Sequence, residues 1–305
     1  MKVLLTGAFG FIGHRILTSL ANREKAVVGV GRSRSMNIAS DFIATKYVDV
    51  VDGATDWSGY FEGITSVVHC AAVAHGKRGD VWAVNVEGAE NLARQAAKAG
   101  IQRFVFLSSI GVNGSSSLLP FTEEAHPNPT DVYARSKWEA EQRLWTVQKE
   151  TGIELVIIRP PLVYGPGAPG NFGALLRWVA KGAPIPLGAI HNKRSLVALD
   201  NLVDLVITCI DHPAAANQVF LVSDGVDLST TELLRGMGKA MRKPAWLIPV
   251  PAGLLLAGAT ILGKKAMAQR VMDSLQVNSS KAQCLLGWQP PLSVEEGLKR
   301  CFPDN

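Results

Sequence analysis

The chain has 305 residues, 47% of them hydrophobic and 19% charged, with 29 glycines and 16 prolines. That is ordinary globular usage; it excludes a disordered or collagen-like chain, and the length suggests two domains or one large α/β domain with an appendage. The net charge of +5 reads as mild and spread along the chain, which argues against a nucleic-acid partner and supports only a modest bias toward anionic small molecules.

In chain order, near-continuous apolar runs at Val3–Leu5, Val27–Val30, Tyr47–Val50, Ser66–Cys70, Phe104–Ser108 and Leu155–Ile158 predict strands buried on both faces. Between them, Ile12, Ile16, Leu17 and Leu20 mark one helix. Ala89, Leu92, Ala93, Ala96 and Ala97 mark a second, stopped by Gly100, and a third runs from about Val132 to Lys149. This alternation predicts right-handed βαβ units, hence an α/β fold with a doubly wound parallel sheet, a Rossmann domain. After Arg159 the texture changes to Pro- and Gly-rich. The expected division is a dinucleotide-binding domain over 1–165, with 190–212 returning to it. A smaller C-terminal α/β substrate-binding domain would take 166–189 and 213–305.

The least polar stretch, Ile248 to Leu262, is too short for a bilayer, which needs about 20 residues, and contains two prolines. No transmembrane segment is expected there; an amphipathic or core helix starting near Pro251 is. The N-terminus runs straight into a strand without a leader pattern, so the chain reads as cytoplasmic. Cys70, Cys209, Cys284 and Cys301 are far apart and form no C-x-x-C pair, so they read as free thiols, and no metal site is expected.

The first strand leads into Gly7-Ala8-Phe9-Gly10-Phe11-Ile12-Gly13 and then a helix. One glycine permits a tight turn, a second a close approach to a pyrophosphate, and a third helix-on-sheet packing, while the helix N-terminus supplies N–H donors for the anion. Gly7, Phe9, Gly10, Phe11, Ile12 and Gly13 are therefore candidate dinucleotide contacts. The G-x-x-G-x-x-G spacing resembles the extended short-chain dehydrogenase/reductase superfamily (the NAD-dependent epimerase/dehydratase family), in its nucleotide-sugar branch.

The second strand ends in Gly31-Arg32-Ser33-Arg34, where such folds usually carry an acid for the ribose of NAD; an arginine there accommodates the extra phosphate of NADP. NADP(H) is the preferred cofactor and NAD(H) stays open. The resemblance also implies that Asp49 and Val50 meet the adenine, that Ala71 and Ala72 lie beside the cofactor, and that Asn85 helps hold the active-site helix. His69 reads as a core histidine.

Tyr133 and Lys137 stand at i, i+4, on one helix face. A phenol is a poor base at neutral pH, and an adjacent ammonium with a cationic nicotinamide would lower its pKa. Three units of lowering correspond to roughly 4 kcal/mol. In the family a serine precedes the tyrosine by about 24 residues, which selects Ser109, with Ser108 as the alternative if the register slips. Ser109, Tyr133 and Lys137 are thus the implied catalytic set. Val112-Asn113-Gly114 departs from the family's V-Y-G.

Arg159-Pro160-Pro161-Leu162-Val163-Tyr164-Gly165-Pro166 resembles the family's turn over the nicotinamide. By the same resemblance Arg194 and Arg270 would meet a substrate diphosphate, Asn171 the sugar or phosphate, and S-K-A-Q-C-L-L-G-W-Q-P would be a structural tail, its helix capped by Ser279 or Ser280. The implied activity is NADP(H)-dependent reduction of the 4-keto group of a nucleotide-diphospho sugar. The substrate class is that of O-antigen enzymes acting on UDP-4-keto-6-deoxy-N-acetylglucosamine. The competing reading is a UDP-hexose 4-epimerase that retains NAD; a third is a cofactor-sensing module without turnover. Family members also pair as homodimers through two helices, here those holding Ala89–Ala97 and Val132–Lys149.

Overall fold

The apolar runs of the first half carry branched or aromatic side chains on both faces and no proline, which suits them to the interior of a parallel sheet. In the computed structural model, which describes residues 1–32, 40–74 and 76–302, they become β1 (Lys2–Thr6), β2 (Ala26–Gly31), β4 (Ser66–His69), β5 (Arg103–Leu107) and β6 (Glu154–Arg159), with β3 (Ile43–Tyr47) between the second and third of these. A short pair, β7 (Leu162–Tyr164) and β8 (Leu196–Ala198), and a last strand, β9 (Gln218–Leu221), follow. Seven strands form one sheet in the order β3-β2-β1-β4-β5-β6-β9, every neighbouring pair parallel. This is a Rossmann-like α/β fold. The order reverses beside β1, where the chain crosses from β3 to β4, and that reversal opens a crevice at the carboxyl ends of the strands.

β3 lies before the run Tyr47–Val50 that was expected to form it. It is the sheet's edge strand, mostly exposed, so its sequence IATKY carries little apolar signal; Val48 and Val51, just beyond its end, are the buried residues.

Helices cover both faces. On one, α1 (Phe11–Asn22) sets Ile16, Leu17 and Leu20 against Val3, Leu5 and Val105. On the other, α2 (Arg78–Trp82) continues through a π-helical turn (Ala83–Glu87) into α3 (Gly88–Lys98), which packs beside α4 (Val132–Thr151) over Leu4, Phe104 and Phe106. A separate core of Tyr164, Phe172, Leu234, Met237 and Leu298 is enclosed by the β7–β8 pair and α5 (Gly170–Ala180). Directly after β8, α6 (Leu199–Asp211) returns to the sheet, and its Leu202 and Val206 join the α1 core.

The remaining helices are α7 (Thr230–Ala240), α8 (Ala252–Ile261), α9 (Lys265–Met272), α10 (Ser280–Leu286) and α11 (Val294–Arg300). The span 213–302 is divided among the α1 core, the second core and a small cluster of Leu221, Leu275 and Val277 with Ile110. β9 is the seventh strand of the main sheet, and Ala282, Leu286 and Trp288 pack with Phe220 in the α1 core, whereas α7 and α11 belong to the second. At the start of α10 the Ser279 hydroxyl is engaged by Ser223 at 3.0 Å, and Asn278 accepts from the Ser280 N–H instead. α8 is neither amphipathic nor a core helix: none of its residues is buried, and it packs chiefly on α9. Among the described residues no helix is long and apolar enough to cross a membrane.

Candidate active site

β1 delivers the chain to Gly7 in a left-handed conformation at φ +68°, and a Cβ there would stand 2.7 Å from the Ala71 nitrogen. At Gly13 a Cβ would come within 2.1 Å of the Gly7 carbonyl oxygen, so the helix can approach the loop only without a side chain. Gly10 is the N-cap of α1, with no side-chain cap and no acid in the first turn. The first N–H groups and the positive end of the helix dipole are thereby left for an anion.

This cradle opens on a cavity of ≈ 330 Å³ at the sheet's reversal point, lined among others by Gly7, Phe9, Gly10, Arg32, Val50, Ala71 and Ala72. A loop that any Cβ would fill, facing a free helix N-terminus, fits a pyrophosphate-bearing dinucleotide. Phe11 and Ile12 are outside the lining and pack against the cores. Asp49 is also outside it, accepting a hydrogen bond from the Tyr47 hydroxyl. A Cβ at Gly31 would meet the Phe9 ring at 2.5 Å, so Phe9 covers the place where an acid would stand. Arg32 is exposed on the cavity rim; Ser33 and Arg34 lie outside the described residues.

α4 begins at Asp131, whose Oδ1 accepts from the Ala134 N–H at 2.8 Å. Tyr133 and Lys137 follow one turn apart. Lys137 Nζ stands 5.9 Å from the centre of the Tyr133 ring and 4.5 Å from that of Phe106, and donates to the Leu107 carbonyl at 2.8 Å. Burial pushes the Tyr133 phenol up to about 12, with Asp131 adding to the rise, and burial brings Lys137 down to about 8. The acidification expected at the phenol needs a cationic nicotinamide beside the ammonium; the protein's own packing favours the neutral phenol. Both groups are desolvated, and the ammonium is anchored on a backbone carbonyl.

Ser109 caps a short 3₁₀ turn (Ile110–Val112), its Oγ accepting from the Gly111 N–H at 3.1 Å. Ser108 is 3% exposed and donates to Glu141 Oε1 at 2.5 Å, so its hydroxyl is occupied within the core. Glu141 also receives Arg159 Nη2 at 2.5 Å in a fully buried pair, and Arg159 Nη1 donates to Asn113 Oδ1 at 3.1 Å. The departure at Asn113 from the family's aromatic therefore supplies a partner for the arginine that starts the Pro-rich turn. In that turn Tyr164 is fully buried and donates to Asp224 Oδ2 at 2.7 Å.

Asn85 is fully buried in the π-helical turn. Its Oδ1 accepts from the Val73 N–H at 2.8 Å, and its Nδ2 donates to the Val73 carbonyl at 3.0 Å and to Ser136 Oγ at 2.9 Å. Ser136 in turn donates to the Tyr133 carbonyl at 2.8 Å. Asn85 therefore ties the β4 loop to the tyrosine's helix rather than lining the dinucleotide cavity. His69 is fully buried, with Nδ1 2.7 Å from Thr6 Oγ1; burial brings its pKa down to about 3, and it is neutral.

A second cavity, of ≈ 360 Å³, is lined by Ser109, Asp131, Ala134, Arg194, Arg270 and Thr230 among others. Tyr133 falls between Asp131 and Ala134 in the chain, but neither it nor Lys137 is among the residues lining either cavity. Arg194 Nη1 donates to the carbonyls of Arg270, at 2.5 Å, and Asp273, at 3.2 Å, at the C-terminal end of α9. Arg270 Nη2 is 3.7 Å from Asp131 Oδ2 across the cavity. Asp131 joins the site from outside the implied set; in sequence its mark is that of an N-cap immediately before the helix of the tyrosine. Asn171 is the second residue of α5, and its side chain lies outside the described set.

The model of the NAD dependent epimerase/dehydratase family matches residues 3–223. A UDP-glucose 4-epimerase of Vibrio cholerae is 44% identical over 98% of this chain and 94% of its own. The N-acetyl-α-D-glucosaminyl-diphospho-ditrans,octacis-undecaprenol 4-epimerase of Escherichia coli O157:H7 is 30% identical over 98% of this chain and 93% of its own. Among solved structures, the UDP-glucuronic acid 4-epimerase of Bacillus cereus in complex with NAD superposes with a TM-score of 0.80 at 21% identity. It covers 98% of this chain and 97% of that one, a likeness of fold.

Proposed function

Because the chain belongs to the NAD dependent epimerase/dehydratase family, we propose that it is a UDP-hexose 4-epimerase that retains its NAD through the catalytic cycle. The observation that carries the reading is the second cavity, where Ser109 and the start of α4 face two arginines, one anchored to the other's helix. The named activities of the relatives favour epimerisation over the 4-keto reduction that the family resemblance implied.

Gly7, Gly10 and Gly13 with the start of α1 would hold the pyrophosphate, and Ala71 and Ala72 the flat faces of the dinucleotide. When bound, the dinucleotide supplies reversible hydride acceptance at the sugar C4 and, when oxidised, a positive charge that favours the ionised phenol. Tyr133 takes the proton of the C4 hydroxyl and, after the 4-keto sugar has presented its other face, returns it to the C4 oxygen. Ser109 Oγ donates to that oxygen as charge develops on it. Lys137, held on the Leu107 carbonyl, orients the tyrosine and the nicotinamide ribose. Arg194 and Arg270 take the diphosphate, Arg270 exchanging its Asp131 partner for a phosphate.

The 4-keto reductase with NADP(H) is the second reading, favoured by Arg32 on the cavity rim and the lack of an acid at Gly31. Incubation of the purified holoenzyme with UDP-glucose or UDP-N-acetylglucosamine decides between them. The epimerase interconverts the C4 epimers with no net change in nicotinamide absorbance. Reduced cofactor consumed one for one with a UDP-4-keto sugar would establish the reductase, and turnover of neither would overturn both.

A further inference from the structure

The charge of the chain is less even than its composition suggests. Between Glu232 and Asp273 there is no acidic residue, yet Arg235, Lys239, Arg242, Lys243, Lys264, Lys265 and Arg270 are all there. That one segment carries more positive charge than the whole chain's net +5, so the remainder is net acidic. Arg242, Lys243, Lys264 and Lys265 are exposed and have no ion pair among the described residues.

These cations bracket an apolar element. Residues 250–263 have no charged side chain, and their one hydroxyl, on Thr260, is turned back onto the Leu256 carbonyl at 2.7 Å. Leu254 is 65% exposed, Ile261 86% and Leu262 73%, at helical spacing along the outer side of α8, while Trp246 just upstream is 61% exposed. A helix of ten residues that is apolar on every side and lies outside the core has spent hydrophobic area on the wrong phase for water.

We propose that α8, with the lysines that follow it, docks the protein on an anionic bilayer surface. A protein partner or a second copy would cover one side and meet a polar rim around it; α8 has no polar side chain but Thr260, and the cations flank it in sequence, Arg242 and Lys243 before and Lys264 and Lys265 after. Lysines placed there reach the headgroups while the apolar body enters the acyl boundary, and an exposed tryptophan belongs at the same depth. The helix is far too short to span, so the association is peripheral. The partner is an anionic lipid surface whatever the sugar substrate.

Co-sedimentation of the full-length holoprotein with vesicles tests this. Binding should be strong on mixed phosphatidylglycerol and phosphatidylcholine vesicles and weak on phosphatidylcholine alone. The pair Lys264→Gln and Lys265→Gln should weaken it roughly tenfold to thirtyfold, at about 1 kcal/mol per lysine near the surface. Leu254→Asp with Ile261→Asp should abolish it, with the circular dichroism spectrum and thermal midpoint unchanged because both sites are exposed. Absence of binding to either vesicle, or binding that survives both pairs of substitutions, would overturn the proposal. So would a dimer that Leu254→Asp with Ile261→Asp splits into monomers, since a second copy would then be what covers the helix.

Discussion

The Tyr133 hydroxyl sits where burial favours its neutral form, and nothing on α4 itself reverses that. Its removal tests the chemistry most directly: Tyr133→Phe should cut turnover by about 10²- to 10⁴-fold in an epimerisation assay while leaving the circular dichroism spectrum unchanged. Lys137 carries a different signature. Its ordinary value of 10.5 is brought down to about 8 by burial, so between those values the unfolded chain keeps a proton that the native state has lost. Stability therefore rises with pH across that window, and the full penalty of burying the ammonium is felt below about pH 8. Urea titrations at several pH values should show Lys137→Met ahead of the parent at neutral pH. The gap should close toward pH 10.5, by an amount on the order of 3 kcal/mol at about 1.36 kcal/mol per unit.

Two elements depend on contacts that a single substitution can break. α1 closes on the glycine loop only because Gly13 has no Cβ, one being 2.1 Å from a carbonyl oxygen. Gly13→Ala should lose at least tenfold in dinucleotide affinity by calorimetry and destabilise the fold by about 1–3 kcal/mol, as overpacking does. α4 is pinned to the end of β6 by the Glu141–Arg159 pair, with side chains 0% and 4% exposed. Glu141→Ala leaves the guanidinium buried beside Asn113 alone and should cost about 3–5 kcal/mol in denaturant unfolding. The neutral Glu141→Gln, which keeps a hydrogen-bond acceptor, should cost less. The Y-x-x-x-K spacing was legible in sequence because it is local to one helix. The Glu141 pair was not, because its partners come from three separate segments.

Across the whole molecule, the second cavity draws on distant parts of the chain: Ser109 and Asp131 lie before β6, Thr230 and Arg270 after β9. The Asp131–Arg270 pair that spans it is exposed and long, so its loss should cost under about 1 kcal/mol of stability. Arg270→Ala should instead raise KM for the UDP-sugar about tenfold with kcat little changed, as expected for a group that binds substrate and transition state alike. Steady-state kinetics on both epimers checks it.

What could be read from the amino-acid order alone was whatever is encoded locally. Strands buried on both faces are apolar throughout, the phosphate loop needs glycines at fixed offsets, and the helix of Tyr133 shows its periodicity. Edge strand β3 escaped because exposure removes the apolar signal, and the shared ownership of residues 213–302 escaped because strand pairing over long sequence separations leaves no local trace. Only the folded chain decided that Ser108 is occupied by Glu141 while Ser109 faces a cavity, that burial favours the neutral form of Tyr133, and that α8 stays outside the cores. Each of these turns on what surrounds a side chain in three dimensions, since desolvation and hydrogen-bond satisfaction are properties of the neighbourhood rather than of the residue.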